Sequence, residues 1–377
     1  MKKQKLVYIG HEYHNKTQST QFLIEIFKTK FDVDVFTYDM EQQKFNGDKD
    51  TYTEEYDALI LFQMPISIKL LKEKFKFEIG SYFPMYDGTG EAPEEFWIQY
   101  KEFNIINFSY TLHKKLLRLG FSTYYIQYFP KPIEINDYGK RDSIFFWNRR
   151  NLINVNYLED IIEALNTKKI HLHMAMDPNE KKVEINKSIQ ERFSLTYSTW
   201  FDTRKEMQKI IESSSIYIAP RFAEGIGMSF LEAMAMGRCV VAVNNPTMNE
   251  YIINGVTGFL YEYENPKIFI DTDILEIQKN TYNYIKEGYE NWEKDKFQIL
   301  DWVLKKNEII LTLFEEPINI YILFFVFFYK FIYKIWNIIS ITKRMNGSFY
   351  LYNKIKLSPK MIIFLKKVYK KIKRKSE

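Results

Sequence analysis

The stretch at residues 219–260 constrains the fold of this chain more than any other part. An apolar run, Ile216–Ala219, leads into a loop that contains Gly225 and Gly227. A helical pattern of Leu, Ala, Met and Glu then continues to Gly237, and glycine is a residue type that commonly ends helices. A β-branched run follows. This order of strand, glycine loop, helix and strand predicts an alternating α/β unit with a parallel sheet.

The same alternation of short apolar runs and amphipathic stretches continues through most of the chain. The predicted strands are Lys5–Ile9, Val33–Tyr38, Ala58–Phe62, Phe103–Phe108, Tyr124–Tyr128, Ser143–Trp147, Ile170–Met174, Ser194–Thr196, Ile216–Ala219 and Cys239–Val243. The predicted helices are Phe22–Phe27, Tyr157–Leu165, Ser229–Met236 and one or two helices within Asn280–Leu313. The fold class is therefore α/β.

The length of 377 residues favours two domains over a single core. Phe129–Pro132 contains two prolines that break any regular element, and a polar stretch follows. We therefore predict an N-terminal domain at 1–138, a second domain with closing helices at 139–315, and a tail at 316–377. The single cysteine, Cys239, excludes an internal disulfide framework and a cysteine-based zinc site, and we interpret it as core filler.

The glycine loop has the features of a phosphate site. Two glycines before a helix let a ligand approach the backbone, and the helix N-terminus offers free N–H groups and a positive dipole. Glu224 and Glu232 flank this loop, and carboxylates accept hydrogen bonds from sugar or ribose hydroxyls. Two alternatives stay open on spacing alone. Ser229-x-x-Glu232 also matches a capping box, and Glu224 could be a solvated loop acid.

The ordered motif across this segment resembles the signature of the family-4 retaining glycosyltransferases. The matching residues are Glu224-Gly225-x-Gly227-x-Ser229-x-x-Glu232-Ala233-Met234-Ala235-x-Gly237, then Val240-Val241-Ala242 and Asn249-Glu250-x-Ile252-x-x-Gly255-x-x-Gly258-x-Leu260. The resemblance implies the GT-B fold, in which two Rossmann-like domains face each other across a cleft. It also implies that the second domain binds a nucleotide-sugar donor.

The resemblance further assigns roles to individual residues. Glu232 matches the residue that binds the ribose hydroxyls, and Glu224 matches a catalytic glutamate near the donor sugar. The backbone at Gly225, Ile226 and Gly227 would contact the sugar and the diphosphate. Enzymes of this kind usually need no bound metal or cofactor, because cationic side chains and helix N-termini neutralise the departing diphosphate.

Those cations are expected after the first strand of the second domain. The family commonly has an arginine there and a lysine a few residues later, whereas this chain has Arg149 and Arg150 and then no lysine until Lys168. We predict that Arg149 or Arg150 binds the diphosphate, with Arg221 as a further candidate. Solvated surface arginines are the alternative for each.

The N-terminal domain is expected to meet the acceptor through loops at residues 10–17 and 84–88. His14, Asp87 and His113 are candidates for positioning the acceptor or the sugar, and a structural role is the alternative for each histidine. Thr17 and Ser19 could cap the next helix.

The tail at 316–377 differs from the rest of the chain in charge. Residues 341–377 contain 12 Lys and Arg against one acid, although the whole chain has a net charge of only +5. Residues 318–340 are aromatic and aliphatic but include Lys330 and Lys334, which oppose a spanning helix. We expect residues 318–377 to lie on an anionic membrane surface. The alternative is that residues 318–340 pack back on the protein.

The resemblance, together with the basic tail, implies a glycosyltransferase that moves a sugar from a nucleotide-sugar to a glycan or lipid-linked glycan with retention, in surface polysaccharide synthesis. The N-terminal residues resemble a first strand and no secretory signal, so we expect a cytoplasmic protein, peripheral on the inner face of the cell membrane. No nucleic-acid recognition motif accompanies the basic charge. A GT-B nucleotide-sugar epimerase and a non-catalytic membrane-bound partner subunit are the alternatives.

Overall fold

The computed structural model contains two sheets, one mainly and one wholly parallel, each accompanied by helices. It describes residues 3–47, 52–135, 138, 140–177, 180, 183–201 and 203–306. The chain divides into a unit of residues 1–309 and a unit of residues 310–377. The second unit, and with it the whole predicted tail at 316–377, lies outside the described residues.

The first sheet has seven strands in the order β3-β2-β1-β4-β5-β6-β7. All neighbours pair in parallel except β2 and β3. Its strands are β1 Gln4–His11, β2 Phe31–Asp39, β3 Lys44–Phe45, β4 Glu55–Phe62, β5 Lys76–Phe83, β6 Asn104–Asn107 and β7 Thr123–Tyr125. The helices between them are α1 Tyr13–Thr17, α2 Gln21–Lys30, α3 Ile68–Lys74, α4 Tyr86–Thr89, α5 Glu94–Ile98 and α6 Tyr110–Arg118.

The second sheet has six parallel strands in the order β10-β9-β8-β11-β12-β13. Its strands are β8 Lys140–Trp147, β9 Lys169–His173, β10 Ser194–Ser198, β11 Ser214–Ile218, β12 Cys239–Val243 and β13 Gly258–Tyr261. The helices that accompany it are α7 Glu159–Ala164, α8 Lys187–Arg192, α9 Arg204–Glu212, α10 Met228–Ala235, α11 Met248–Tyr251, α12 Ile274–Asp295 and α13 Gln298–Val303.

Both strand orders are doubly wound, so the predicted fold class of two Rossmann-like units is confirmed. Every residue of β11 and β12 is buried, as expected for parallel strands that are covered on both faces. Cys239 is fully buried among these strands, which confirms its role as core filler. In such sheets ligands bind beyond the carboxyl ends of the strands where the order reverses. In the second sheet that point lies between β8 and β11.

Several elements differ from their sequence prediction. The strand predicted at Tyr124–Tyr128 ends at Tyr125, since the chain then leaves the sheet toward Pro130. Strands β3 and β13 and most of the short helices were not predicted, because each is too short to show a clear period. Strand β5 was not predicted either, because its eight residues include Lys76, Glu78, Gly80 and Ser81 and contain no continuous apolar run. The long C-terminal helix begins at Ile274, where the side chain of Asp273 accepts a hydrogen bond from the Leu275 N–H.

The predicted caps at Gly237 and at Thr17 or Ser19 can be compared with the structure. Gly237 follows α10 with φ of +67°, and its N–H donates to the Met234 carbonyl, so the predicted C-terminal role of this glycine is confirmed. The prediction that Thr17 or Ser19 caps the next helix is wrong. Thr20 occupies that position and makes no side-chain cap, while the Thr17 hydroxyl donates to the Tyr13 carbonyl.

The chain passes between the two sheets twice. The first passage follows β7, and the second lies between α12 and α13. Helix α12 packs against α10 and the strands β11 to β13, whereas α13 packs against α2, β5 and β6 of the first sheet. The Asn104 side-chain amide donates to the carbonyls of Trp302 and Lys305 just at the end of α13. The predicted bounds at residues 138 and 315 stay predictions.

Glu250 on α11 joins the two sheets by capping a helix that belongs to the other one. Its carboxylate accepts hydrogen bonds from the Tyr110 N–H at 2.7 Å, the Thr111 N–H at 2.9 Å and the Ser109 hydroxyl at 2.9 Å. The Gln127 amide also donates to the Glu250 carbonyl at 2.9 Å. An anion at the N-terminus of α6 satisfies its free N–H groups and its dipole.

We expect the Glu250→Gln variant to be less stable by about 1–2 kcal/mol, because the amide keeps one acceptor oxygen and its NH2 would face the N–H group of either Tyr110 or Thr111. Urea unfolding followed by circular dichroism measures this loss. The exposed Glu264, replaced by glutamine, is the matched control and should change little. Equal stability of the two variants would contradict the capping role.

Candidate functional site

The loop that follows β11 is held in place by backbone contacts. The Glu224 N–H donates to the Pro246 carbonyl at 3.0 Å, and the Thr247 hydroxyl donates to the Ile226 carbonyl at 3.3 Å. Gly227 adopts φ of +85°, and a Cβ there would lie 1.9 Å from the Phe230 ring. Only glycine fits this position without strain. The loop is therefore a preformed turn at the switch point of the second sheet.

Helix α10 begins directly after Gly227 without any side-chain cap. Its N-terminal dipole therefore points into the region beyond β11, where an anion would be stabilised. Ser229 lies inside the helix and not at its N-cap, so the capping-box interpretation of Ser229 and Glu232 is wrong. That interpretation was the main structural alternative for Glu232, which is half-buried.

Tyr217, on β11, shows which charged groups surround the loop. Burial raises the pKa of the Tyr217 phenol above its ordinary value. The charges of Glu224 and Glu232 add to this rise, whereas Arg149 opposes it. Both glutamates of the motif and one of the two predicted arginines thus act on the same buried phenol. The structure brings together the residues that the sequence motif predicted separately.

Arg149 and Arg150 follow β8 and share a single carboxylate. The Nε of Arg149 donates to Asp177 at 2.6 Å, and the Nε of Arg150 donates to the other oxygen of Asp177 at 2.7 Å. The Arg149 guanidinium also stacks over the Trp147 ring at 5.0 Å. Asp177 was not predicted from the sequence. Its position just beyond β9, the neighbour of β8, is the signal that could have identified it.

Arg221 lies in a second charged cluster that spans the two sheets. Its guanidinium donates to Asp87 at 2.7 Å and lies 3.5 Å from Glu224, and the side chains of Arg221 and Asp87 are 18% and 12% exposed. Gly225 lets the loop after β11 lie close to Met85 and Asp87, because a Cβ at this position would lie only 2.8 Å from the Met85 sulfur. The structure therefore brings Asp87 of the first sheet to the predicted donor loop.

The Glu224 carboxyl is buried, with 7% of the residue exposed. Burial raises its pKa, the Arg221 charge lowers it, and the Asp87 charge raises it again, with a net rise. The charges of Arg149 and Arg150 also act on this carboxyl. Glu224 is thus not the solvated loop acid that the sequence left open.

The two predicted histidines lie in different places. His14 packs its ring against Phe62 at the end of β4, and burial, with a smaller effect of His11, lowers its pKa to about 4. It is therefore neutral at pH 7. His113 on α6 contacts the Thr123 hydroxyl at 3.2 Å and the rings of Tyr110 and Tyr125. These contacts are with β7, the edge strand of the first sheet, and with the first residue of α6, and not with the glycine loop.

Two cavities in the described part of the chain lie away from these residues. One of about 580 Å³ is lined by charged residues at the amino ends of β1, β4 and β5, which is the opposite edge of the first sheet. One of about 400 Å³ lies between the residues after β7 and α12. Within the described residues, no group of three His, Cys, Asp or Glu side chains could hold a metal ion.

Comparisons with known proteins agree with this geometry. Residues 142–276 match the family model Glycosyl transferases group 1. This segment contains nearly all of the second sheet, both arginines and both glutamates. An uncharacterized glycosyltransferase of Methanocaldococcus jannaschii is 28% identical over 113 residues, which cover 26% of this chain and 29% of that protein. The chain thus matches less than a third of the length of this curated relative.

Solved structures of glycosyltransferases share the fold. HepE of Anabaena, in complex with UDP and glucose, has a TM-score of 0.52 at 12% identity and covers 79% of this chain and 99% of its own. Sucrose-phosphate synthase from Thermosynechococcus elongatus has a TM-score of 0.54 at 15% identity and covers 79% of this chain and 98% of its own. The predicted GT-B fold is confirmed.

We expect the Glu224→Gln variant to be more stable than the wild type at pH 7, by on the order of 1 kcal/mol. A carboxyl whose pKa is higher in the folded than in the unfolded protein stabilises the fold at pH values below its unfolded-state pKa. This stabilisation is lost as the pH rises through the pKa of the folded state, so the ionised Glu224 of the wild type does not supply it at pH 7. The gain of the variant should therefore vanish below about pH 4. Urea unfolding across this pH range measures it. A gain that is the same at every pH would contradict the role of ionisation, and the exposed Glu276, replaced by glutamine, is the control.

Proposed function

We propose that this protein is a retaining glycosyltransferase that uses a nucleotide-sugar donor and a glycan or lipid-linked glycan acceptor. The observation that carries the proposal is the convergence at one switch point of two arginines, two glutamates and the uncapped N-terminus of α10. Each of these groups suits one part of a nucleotide-sugar. A role in surface polysaccharide synthesis is part of the same proposal.

The diphosphate would lie between the arginine pair and α10. Arg149 and Arg150 with Asp177 carry a net charge of +1, whereas Arg221 with Asp87 and Glu224 carries −1 when all are ionised. An anion is therefore attracted to the first cluster and repelled by the second. This comparison favours Arg149 and Arg150 over Arg221 as the diphosphate ligands. No step of the proposal requires a bound metal or other cofactor.

The two glutamates would act on hydroxyl groups. Glu232 would accept hydrogen bonds from the ribose diol, and Glu224, with Asp87 opposite, would contact the donor sugar. As the bond from the anomeric carbon to the diphosphate oxygen breaks, negative charge grows on that oxygen. The arginines and the α10 dipole would stabilise this charge. The departing diphosphate would then accept the proton of the acceptor hydroxyl, with the new bond formed on the same face of the sugar.

The donor base and sugar are open to a direct screen. HepE was solved with UDP and glucose, which makes UDP-sugars sensible first probes. A ligand that binds only the native state raises its apparent stability, so thermal unfolding with each nucleotide-sugar would identify the donor.

The basic tail adds a membrane surface to the proposal. Within the described residues, no helix has the length and the apolar character that a membrane span requires. The 12 basic residues at 341–377 would instead attract anionic lipids, each contributing about 1 kcal/mol near the surface. The protein would thus work on the cytoplasmic face of the membrane, next to a lipid-linked acceptor.

We expect the Glu232→Gln variant to lose at least about tenfold in transfer activity, because it would lose a charged hydrogen bond to the donor ribose. The loss should appear mainly in the KM for the donor, measured from nucleotide release in the presence of acceptor. The exposed Glu191 on α8, replaced by glutamine, is the matched control. Full activity of Glu232→Gln would contradict the assigned role. Donor binding by the wild type without turnover would support a non-catalytic subunit, and turnover without acceptor would support an epimerase.

Truncation after residue 316 should release the protein from anionic vesicles. We expect the full chain to sediment with phosphatidylserine-containing vesicles and less with neutral ones, because attraction of basic residues depends on lipid charge. The truncated chain should stay in the supernatant with both. Unchanged co-sedimentation after truncation would contradict the membrane role of the tail.

A further inference from the structure

Asp177 connects two loops that leave neighbouring strands at the same edge of the second sheet. Strands β8 and β9 pair in parallel from Ser143–Lys169 to Trp147–His173, so their following loops emerge side by side. The Asp177 N–H donates to the Arg149 carbonyl at 3.0 Å, which fixes the carboxylate next to the arginines. The Trp147 indole N–H donates to the Ala175 carbonyl at 2.6 Å and holds the same loop.

The geometry of the arginine pair leaves donors for a second anion. Both contacts with Asp177 use the Nε groups, at 2.6 and 2.7 Å. Among the described residues no other partner takes the terminal nitrogens of the two guanidiniums, and a planar guanidinium can bind phosphate oxygens through such nitrogens. The side chains of Asp177, Arg149 and Arg150 are 15%, 20% and 45% exposed, so the carboxylate lies beneath and Arg150 is the cation nearer the solvent.

Asp177 also makes the close approach of two cations possible. Two adjacent guanidiniums repel each other, and a carboxylate between them offsets this repulsion. Burial works to raise the pKa of Asp177, but the hydrogen bonds and charges of Arg149 and Arg150 outweigh it and hold this pKa below its ordinary value. The carboxylate is therefore ionised at pH 7, and the cluster keeps one net positive charge.

We propose that Asp177 is a positioning residue that presents Arg149 and Arg150 together as a clamp for the diphosphate of the donor. This inference rests on the proposed function and adds a residue to it. In this chain the clamp would use two consecutive arginines, and consecutive side chains need an external partner to point in one direction. Asp177 would be that partner.

The direction in which Asp177→Asn changes nucleotide affinity distinguishes a positioning role of Asp177 from a purely electrostatic one. Removal of a negative charge near a diphosphate should by itself strengthen binding. If Asp177 orients the arginines, the amide, which can accept fewer of their hydrogen bonds, should instead weaken UDP or GDP binding roughly tenfold. Isothermal titration calorimetry of the full-length protein with each nucleotide measures this change. Asp177→Glu keeps the charge and should recover part of the affinity.

Glu180 provides a matched control on the same loop. Its carboxylate accepts a hydrogen bond from the Asn151 N–H at 3.0 Å, so Glu180→Gln makes the same change of charge without touching the arginine side chains. We expect Glu180→Gln to bind nucleotide as the wild type does or slightly more tightly. A similar loss in both variants, or unchanged or tighter binding in Asp177→Asn, would overturn the inference. If the wild type binds none of UDP, GDP, ADP, CDP and dTDP, the proposed function itself fails.

Discussion

The largely buried ion pair between Arg221 and Asp87 is the contact on which the candidate site depends most. It joins the loop after β11 to the loop after β5, and these loops belong to different sheets. A buried cation is costly unless it is paired, and removal of one partner of such a pair typically costs about 3–5 kcal/mol. Because Glu224 also contacts Arg221, the position of the catalytic candidate is coupled to the contact between the sheets.

Charge is distributed around the site in two clusters of opposite sign. Arg149 and Arg150 outnumber their single carboxylate, whereas Arg221 is outnumbered by its two. A donor has a corresponding polarity, since its diphosphate is anionic and its sugar is neutral and rich in hydroxyls. The order of the clusters would therefore orient the donor, with the diphosphate toward β8 and the sugar toward the first sheet.

Local patterns in the sequence predicted much of this arrangement. The apolar runs identified the central strands, and the glycines with Gly237 identified the boundaries of α10. Contacts between residues that are distant in the sequence could not be predicted from such local patterns. Asp87 and Arg221 are 134 positions apart, and Glu250 caps a helix that begins 140 positions earlier. Such pairs depend on strand order and on which loops share an edge, and neither is encoded in local periodicity.

Ser229 and Glu232 illustrate the same limit from the other direction. They have capping-box spacing, but the left-handed Gly227 is the N-cap of α10, two residues before Ser229. The residue types suited a cap, and the backbone around them decided the outcome. The assignment of His113 to the acceptor region stays a prediction, since its contacts are with Thr123 and Tyr125 of β7 and with Tyr110 of α6.

The double passage of the chain between the sheets has a mechanical consequence. A single linker would leave the two sheets, with their helices, free to reorient in any direction. The two crossings, one after β7 and one between α12 and α13, define an axis about which one sheet can rotate relative to the other. Rotation about the line through the two crossings is therefore the relative motion of the sheets that the backbone opposes least, and cleavage of the backbone at either crossing would leave the halves joined by the other.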